Sequence, residues 1–287
     1  MRNRVIAILP ATLAVALFSS LTLAQNQSFN PRDLNGVWSR NAQGWGGGGT
    51  CRDCGDRGFG NNVPRFTPQG EALFNANKPS YGRELGSAAA ANNAQEAIGR
   101  RRAVPPAQGN DIANNCNPSG IPRILIYPDP VDFIQTNNRI VQIFQWTGQW
   151  RTIWMDGRAL PASPDLLRWN GYSVGRWDGD TLVVDSVGFD SRSWVDHFGY
   201  PHSEDMRLQE RYRRVSPDTL ELNMTITDPK IYTTPWVGDV KRFKQLTREV
   251  MTYDGWDGIL EELCVPIDTV DNFNKRVMEP AGGVKKP

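Results

Sequence analysis

The chain reads as an all-β protein, an antiparallel meander whose strands close into a barrel. Three observations carry that reading. From Ile121 onward, short β-branched and aromatic segments follow one another at hairpin spacing, punctuated by Pro128-Asp129-Pro130, Asn137-Asn138 and Thr147-Gly148. Alternation in 219–227 puts Leu220, Leu222, Met224 and Ile226 on one face and Thr219, Glu221, Asn223, Thr225 and Thr227 on the other, the pattern of a half-buried strand. Two turn signals, Asp178-Gly179-Asp180 and Ser216-Pro217-Asp218, join strong strands. A meander of roughly eight to ten strands removes its edges best by closing on itself.

Taken in order, residues 1–24 have the pattern of a signal peptide. Arg2 and Arg4 precede the apolar stretch Val5–Leu23, and Thr22-Leu23-Ala24 is a small-residue cleavage site. Pro10 and the Ser19-Ser20 pair argue against a retained anchor. The expectation is a periplasmic or secreted protein with no membrane span after cleavage. Residues 25–115 form an irregular Gly/Asn-rich N-terminal segment. It contains a first strand at Gly36-Val37-Trp38-Ser39 and a short helix over 67–77, where Thr67 caps and Pro68 takes the first helical position. Its glycine run lacks the G-K-[ST] ending and strand–helix context of a phosphate loop. Arg100-Arg101-Arg102 is read as a solvated charge run. The barrel domain is assigned to 116–267, with strands expected over 124–129, 132–137, 139–146, 151–156, 172–177, 181–189, 206–215, 219–227 and 241–247. A polar tail occupies 268–287.

Loss of the leader removes two positive charges, taking the formal net charge from +1 to −1. A near-neutral chain has no global attraction for nucleic acid or anionic membranes. Ten tryptophans suit strand faces and ligand grooves. The four cysteines of an exported chain fit two disulfides, for which three connectivities exist. Cys51 with Cys54 closes a small loop, and Cys116 with Cys264 ties an early segment to the C-terminal end. The C-x-x-C pair also fits a redox motif or half a zinc site, but the flanking Gly- and Asn-rich sequence and the isolation of the other cysteines favour crosslinks.

The chemistry concentrates in 190–205, between the two hairpins. This loop holds both histidines of the chain, His197 and His202, with Asp190, Asp196, Glu204 and Asp205. Histidine titrates nearest neutrality, so His202 is the candidate acid–base group, with Glu204 or Asp196 to orient it. Two histidines and a carboxylate also match the donor set of a divalent-metal triad, but the reading adopted needs no metal and no cofactor. Asp190, Trp194, His197, Arg158, Tyr232 and Trp236 are the candidate ligand contacts, Arg158 as a bidentate partner for a carboxylate and Trp236 as an aromatic platform. Asp190, Trp194, Asp196, His202 and Glu204 are expected in one cavity at a barrel mouth, with Arg158 and Trp236 opposite. No Walker or haem-attachment signature is present in the sequence.

The stretch GYSVGRWDGDTLVVDSVGFDSRSWVDHFGYPHSEDMRLQERYRR, with CNPSGIPR, WRTIWMDGRALP, TITDPKIYTTPW and LCVP, resembles a widespread family of exported bacterial proteins without an assigned activity. Gly36-Val37-Trp38 is similar to the G-x-W signature of the calycins, and that resemblance implies a lipocalin/calycin-like barrel for small apolar ligands. Two functions fit. One is a binder of a small, largely apolar or aromatic molecule; the other is a cofactor-independent hydrolase, isomerase or lyase using His202.

Overall fold

A computed structural model describes residues 29–40, 58–79, 109–247, 258–260 and 264. The leader, the Cys51–Cys54 pairing, the Arg100–Arg102 run and the 268–287 tail lie outside the described residues.

The described residues form ten strands: β1 Gly36–Ser39, β2 Val131–Gln135, β3 Arg139–Phe144, β4 Trp150–Trp154, β5 Tyr172–Asp178, β6 Thr181–Val187, β7 Arg207–Ser216, β8 Thr219–Thr227, β9 Trp236–Val237 and β10 Lys241–Gln245. Neighbours pair in sequence order from β1 to β8. The sheet closes because β10 pairs with β1 on one side (Trp38 opposite Gln245) and with β8 on the other (Phe243 opposite Leu220). The result is a closed nine-stranded barrel, with β9 attached to the far end of β8.

The local chemistry explains the turns. Asp178 faces Thr181 across a two-residue turn whose Gly179 takes φ +58°, a conformation glycine adopts without strain. Ser216 faces Thr219, with a register shift between Arg214 and Ser216. Leu220, Leu222, Met224 and Ile226 all turn into the core, so the apolar face of β8 is the inner one. Each such side chain contributes about 1.5–3 kcal/mol of burial. The one α-helix among the described residues, α1 Pro68–Ala76, is capped by the Thr67 hydroxyl, which accepts from the Gly70 amide at 3.0 Å.

Two local readings of the sequence are corrected. The expected strand over 124–129 is a single 3-10 turn, Arg123–Ile126, with all four side chains buried. Proline at 122 brings no N–H to a ladder, and a short apolar run serves a buried turn as well as a strand. The meander also has one exception, since β4 and β5 run parallel, with Ile153 opposite Ser173 and Trp154 opposite Val174. A parallel pair needs a crossover, and residues 155–171 supply it over the outside of the wall.

Inside the barrel lies a buried polar network. Arg151 donates to both carboxylate oxygens of Glu210 (2.8 and 2.5 Å), to the Gln142 carbonyl (2.5 Å) and to the Tyr212 hydroxyl (3.1 Å). Tyr212 in turn donates to Glu210 at 2.6 Å. Burial, the largest single influence, acts to discharge Arg151, but the charges of Glu210 and Tyr212 and the hydrogen bonds to them together outweigh it and the guanidinium stays charged. Burial, followed by the Glu210 charge, pushes the Tyr212 phenol well above its ordinary value. Trp38 packs in the core, donating from its indole to Leu34 O at 2.9 Å, with Arg214 5.3 Å from the ring centroid. Cys116 and Cys264 form a disulfide across a sequence separation of 148. Among the described residues no helix is long and apolar enough to cross a membrane.

Candidate functional site

The 190–205 loop leaves β6 and folds back before β7, held by its own side chains. Asp190 accepts from the Arg192 guanidinium at 2.9 and 2.6 Å, and that bond keeps its carboxyl below the usual range. Ser203 is pinned by Asp228, which accepts from its amide at 2.6 Å and its hydroxyl at 2.8 Å.

His202 is only 1% exposed. Its Nδ1 lies 3.0 Å from Ser203 O and its Nε2 2.9 Å from Ser193 Oγ. Burial, the largest influence, holds the imidazole below its ordinary value and therefore neutral. A neutral ring donating from Nδ1 leaves Nε2 as an acceptor for the single Ser193 hydroxyl proton, for which Asp190 O, 3.0 Å from Ser193 Oγ, is the competing acceptor. Neither Glu204 nor Asp196 is at bonding distance of this ring. Glu204 is exposed. Asp196 is buried and gives its two oxygens to the amides of Phe198 (2.9 Å) and Phe59 (3.1 Å). Burial pushes its carboxyl up to about 6. His197 packs on Tyr127, ring centroids 4.4 Å apart. Among the described residues no group of three or more His, Cys, Asp or Glu side chains is placed to hold a metal ion.

A cavity of about 530 Å³ sits between this loop and α1. Trp194, His202 and Glu204 line it, with Arg192, Lys230 and Asn77. Asp190 reaches it only through Arg192. Asp196 is not in its lining, and Trp236 is fully buried against Phe59, Tyr200 and Tyr232. Tyr232 donates to Pro201 O at 2.9 Å and so supports the loop from behind.

Arg158 belongs to a second cavity of about 630 Å³, at the parallel β4–β5 seam. Strand alternation sets Trp150 and Trp154 on the outer face of β4, the crossover brings Arg158, Arg168 and Trp169 around them, and Tyr172 joins from the start of β5. Arg158 is tied to Asp156 (2.5 Å) and lies 3.7 Å from the Trp154 ring centroid. Arg192, which lines the loop cavity, lies 4.5 Å from the ring centroid of Trp169, which lines the seam cavity.

The sequence reading passed over Ser193, the seam aromatics and a buried bidentate pair in which Arg123 donates to Asp111 at 2.8 and 2.6 Å. The seam tryptophans did carry a signal: spaced by four on a strand, they share a face. Comparison with protein-family models, curated proteins and solved structures returns no match.

Proposed function

We propose that this chain is an exported β-barrel protein that binds a small, largely apolar or aromatic molecule, and that the seam cavity holds it. One observation carries the reading: Trp150, Trp154, Trp169 and Tyr172 converge on a cavity of about 630 Å³, a size within the usual range for small-molecule sites. Export is supported by the leader pattern of residues 1–24 and by the family resemblance of the motifs. The test is to purify the protein natively from the periplasm or medium, extract what accompanies it and identify the compound by mass spectrometry. Trp150→Ala is expected to weaken binding of that compound by about tenfold or more. An unchanged ligand load in Trp150→Ala and Trp169→Ala would place the site elsewhere.

A second reading, a cofactor-independent hydrolase, isomerase or lyase, is favoured by the 2.9 Å contact between His202 Nε2 and Ser193 Oγ at the wall of the loop cavity. In this reading Ser193, rather than Glu204 or Asp196, is the group His202 addresses. Turnover of the co-purified compound, lost by about a hundredfold or more in His202→Ala, would establish it. Unchanged ligand binding with no turnover in the wild type leaves the histidine a structural group.

A further inference from the structure

Resting on the reading of the seam cavity as the binding site, we infer that its ligand is an aromatic monoanion, a planar ring system bearing a single carboxylate. The charges in the lining set the sign. Arg151, Arg158 and Arg168 contribute to the cavity wall, and no Asp or Glu does. Two of these cations are already matched: Arg151 by Glu210 inside the barrel, and Arg158 by Asp156 on the surface. Arg168 has no carboxylate partner among the described residues; its guanidinium rests 4.2 Å from the Tyr172 ring centroid. One cation is therefore left for an incoming group, and a guanidinium matches a carboxylate with two parallel hydrogen bonds.

The rings set the shape. Trp154, Tyr172 and Trp169 each carry an arginine over one face. Trp150 is 65% exposed, and among the described residues no ring or guanidinium covers it. An uncovered indole beside an unmatched guanidinium fits a flat ring for the first and an anion for the second.

The full-length protein tests this by calorimetric titration with 2-naphthoate and its neutral counterpart, 2-naphthylmethanol. The wild type is expected to bind the carboxylate about tenfold tighter than the alcohol. Arg168→Gln is expected to bring that ratio close to one, and Trp150→Ala to weaken both probes alike. Equal affinity for the two probes, with no effect of Arg168→Gln on their ratio, overturns the charge assignment while leaving the cavity as the site. Binding of both probes undiminished in Trp150→Ala, or no binding of either to the wild type, overturns the site itself. Arg168 is exposed, so a melting curve matching the wild type verifies that the variant is folded.

Discussion

Asp196 and His202 sit a few residues apart in one buried loop, yet pH acts on them in opposite directions. The Asp196 carboxyl is raised from its ordinary 3.8 to about 6. A raised group contributes stability that is fully present below pH 3.8 and lost as pH rises through about 6. His202 is held below its ordinary 6.5, so its contribution is present above pH 6.5 and lost as pH falls through its folded value. Asp196→Asn removes the first dependence and keeps the second. Denaturant unfolding at pH 4, 5.5 and 7.5 is expected to show the wild type gaining on the variant toward low pH, by no more than about 3 kcal/mol. A constant difference across that range would refute the assignment. The residue types of this loop were legible because both histidines and several carboxylates crowd one stretch. Their partners were not. Ser193 meets His202 only because the loop doubles back, with Val195 N donating to Tyr200 O at 2.8 Å, and a fold-back of this kind has no periodic pattern to announce it.

At the scale of elements, the Arg151–Glu210 pair joins β4 to β7 across the barrel interior. Breaking a buried pair by removing one partner strands the other charge. Arg151→Met is therefore expected to cost about 3–5 kcal/mol in equilibrium unfolding, and Arg151→Met with Glu210→Leu to recover at least half of it. A double variant no more stable than the single one would show that the charge is not what matters there. Strands β5 to β8 were legible because alternation and two-residue turns are local signals. The β4–β5 pairing was not, because a crossover has no short-range signature, and the seam cavity stayed hidden with it. Gly175 marks the place: a Cβ there would lie 2.5 Å from Met155 Sδ and 2.9 Å from Ile153 Cγ2. The end of β4 and the start of the crossover thus pack directly on the bare backbone of β5. Gly175→Val is expected to cost about 1–3 kcal/mol by forcing these groups apart. A melting temperature equal to the wild type's would contradict that packing.

At the scale of the molecule, the Cys116–Cys264 bridge closes a loop with a sequence separation of 148 that contains most of the barrel. In the entropic model its loss is expected to cost roughly 3–5 kcal/mol. Thermal unfolding with and without reductant measures this, and Cys116→Ser should reproduce the reduced value. Identical curves would mean that the bridge restrains little. The closed barrel itself was legible, since the strand count and turn spacing leave a meander few other ways to hide its edges. The strand that completes it was less so, because its two partners stand far away in the sequence. Among the described residues β10 alone joins β1 to β8, and it is the last of the described strands. Until it emerges from the ribosome, every shorter chain carries two open rims, one at each end of the growing sheet, with backbone donors and acceptors ready to pair with a neighbouring molecule. Synthesis and solubility are thus tied together by the position of one five-residue strand. A chain that stops before Lys241 has β1 to β9 and lacks the strand that joins β1 to β8.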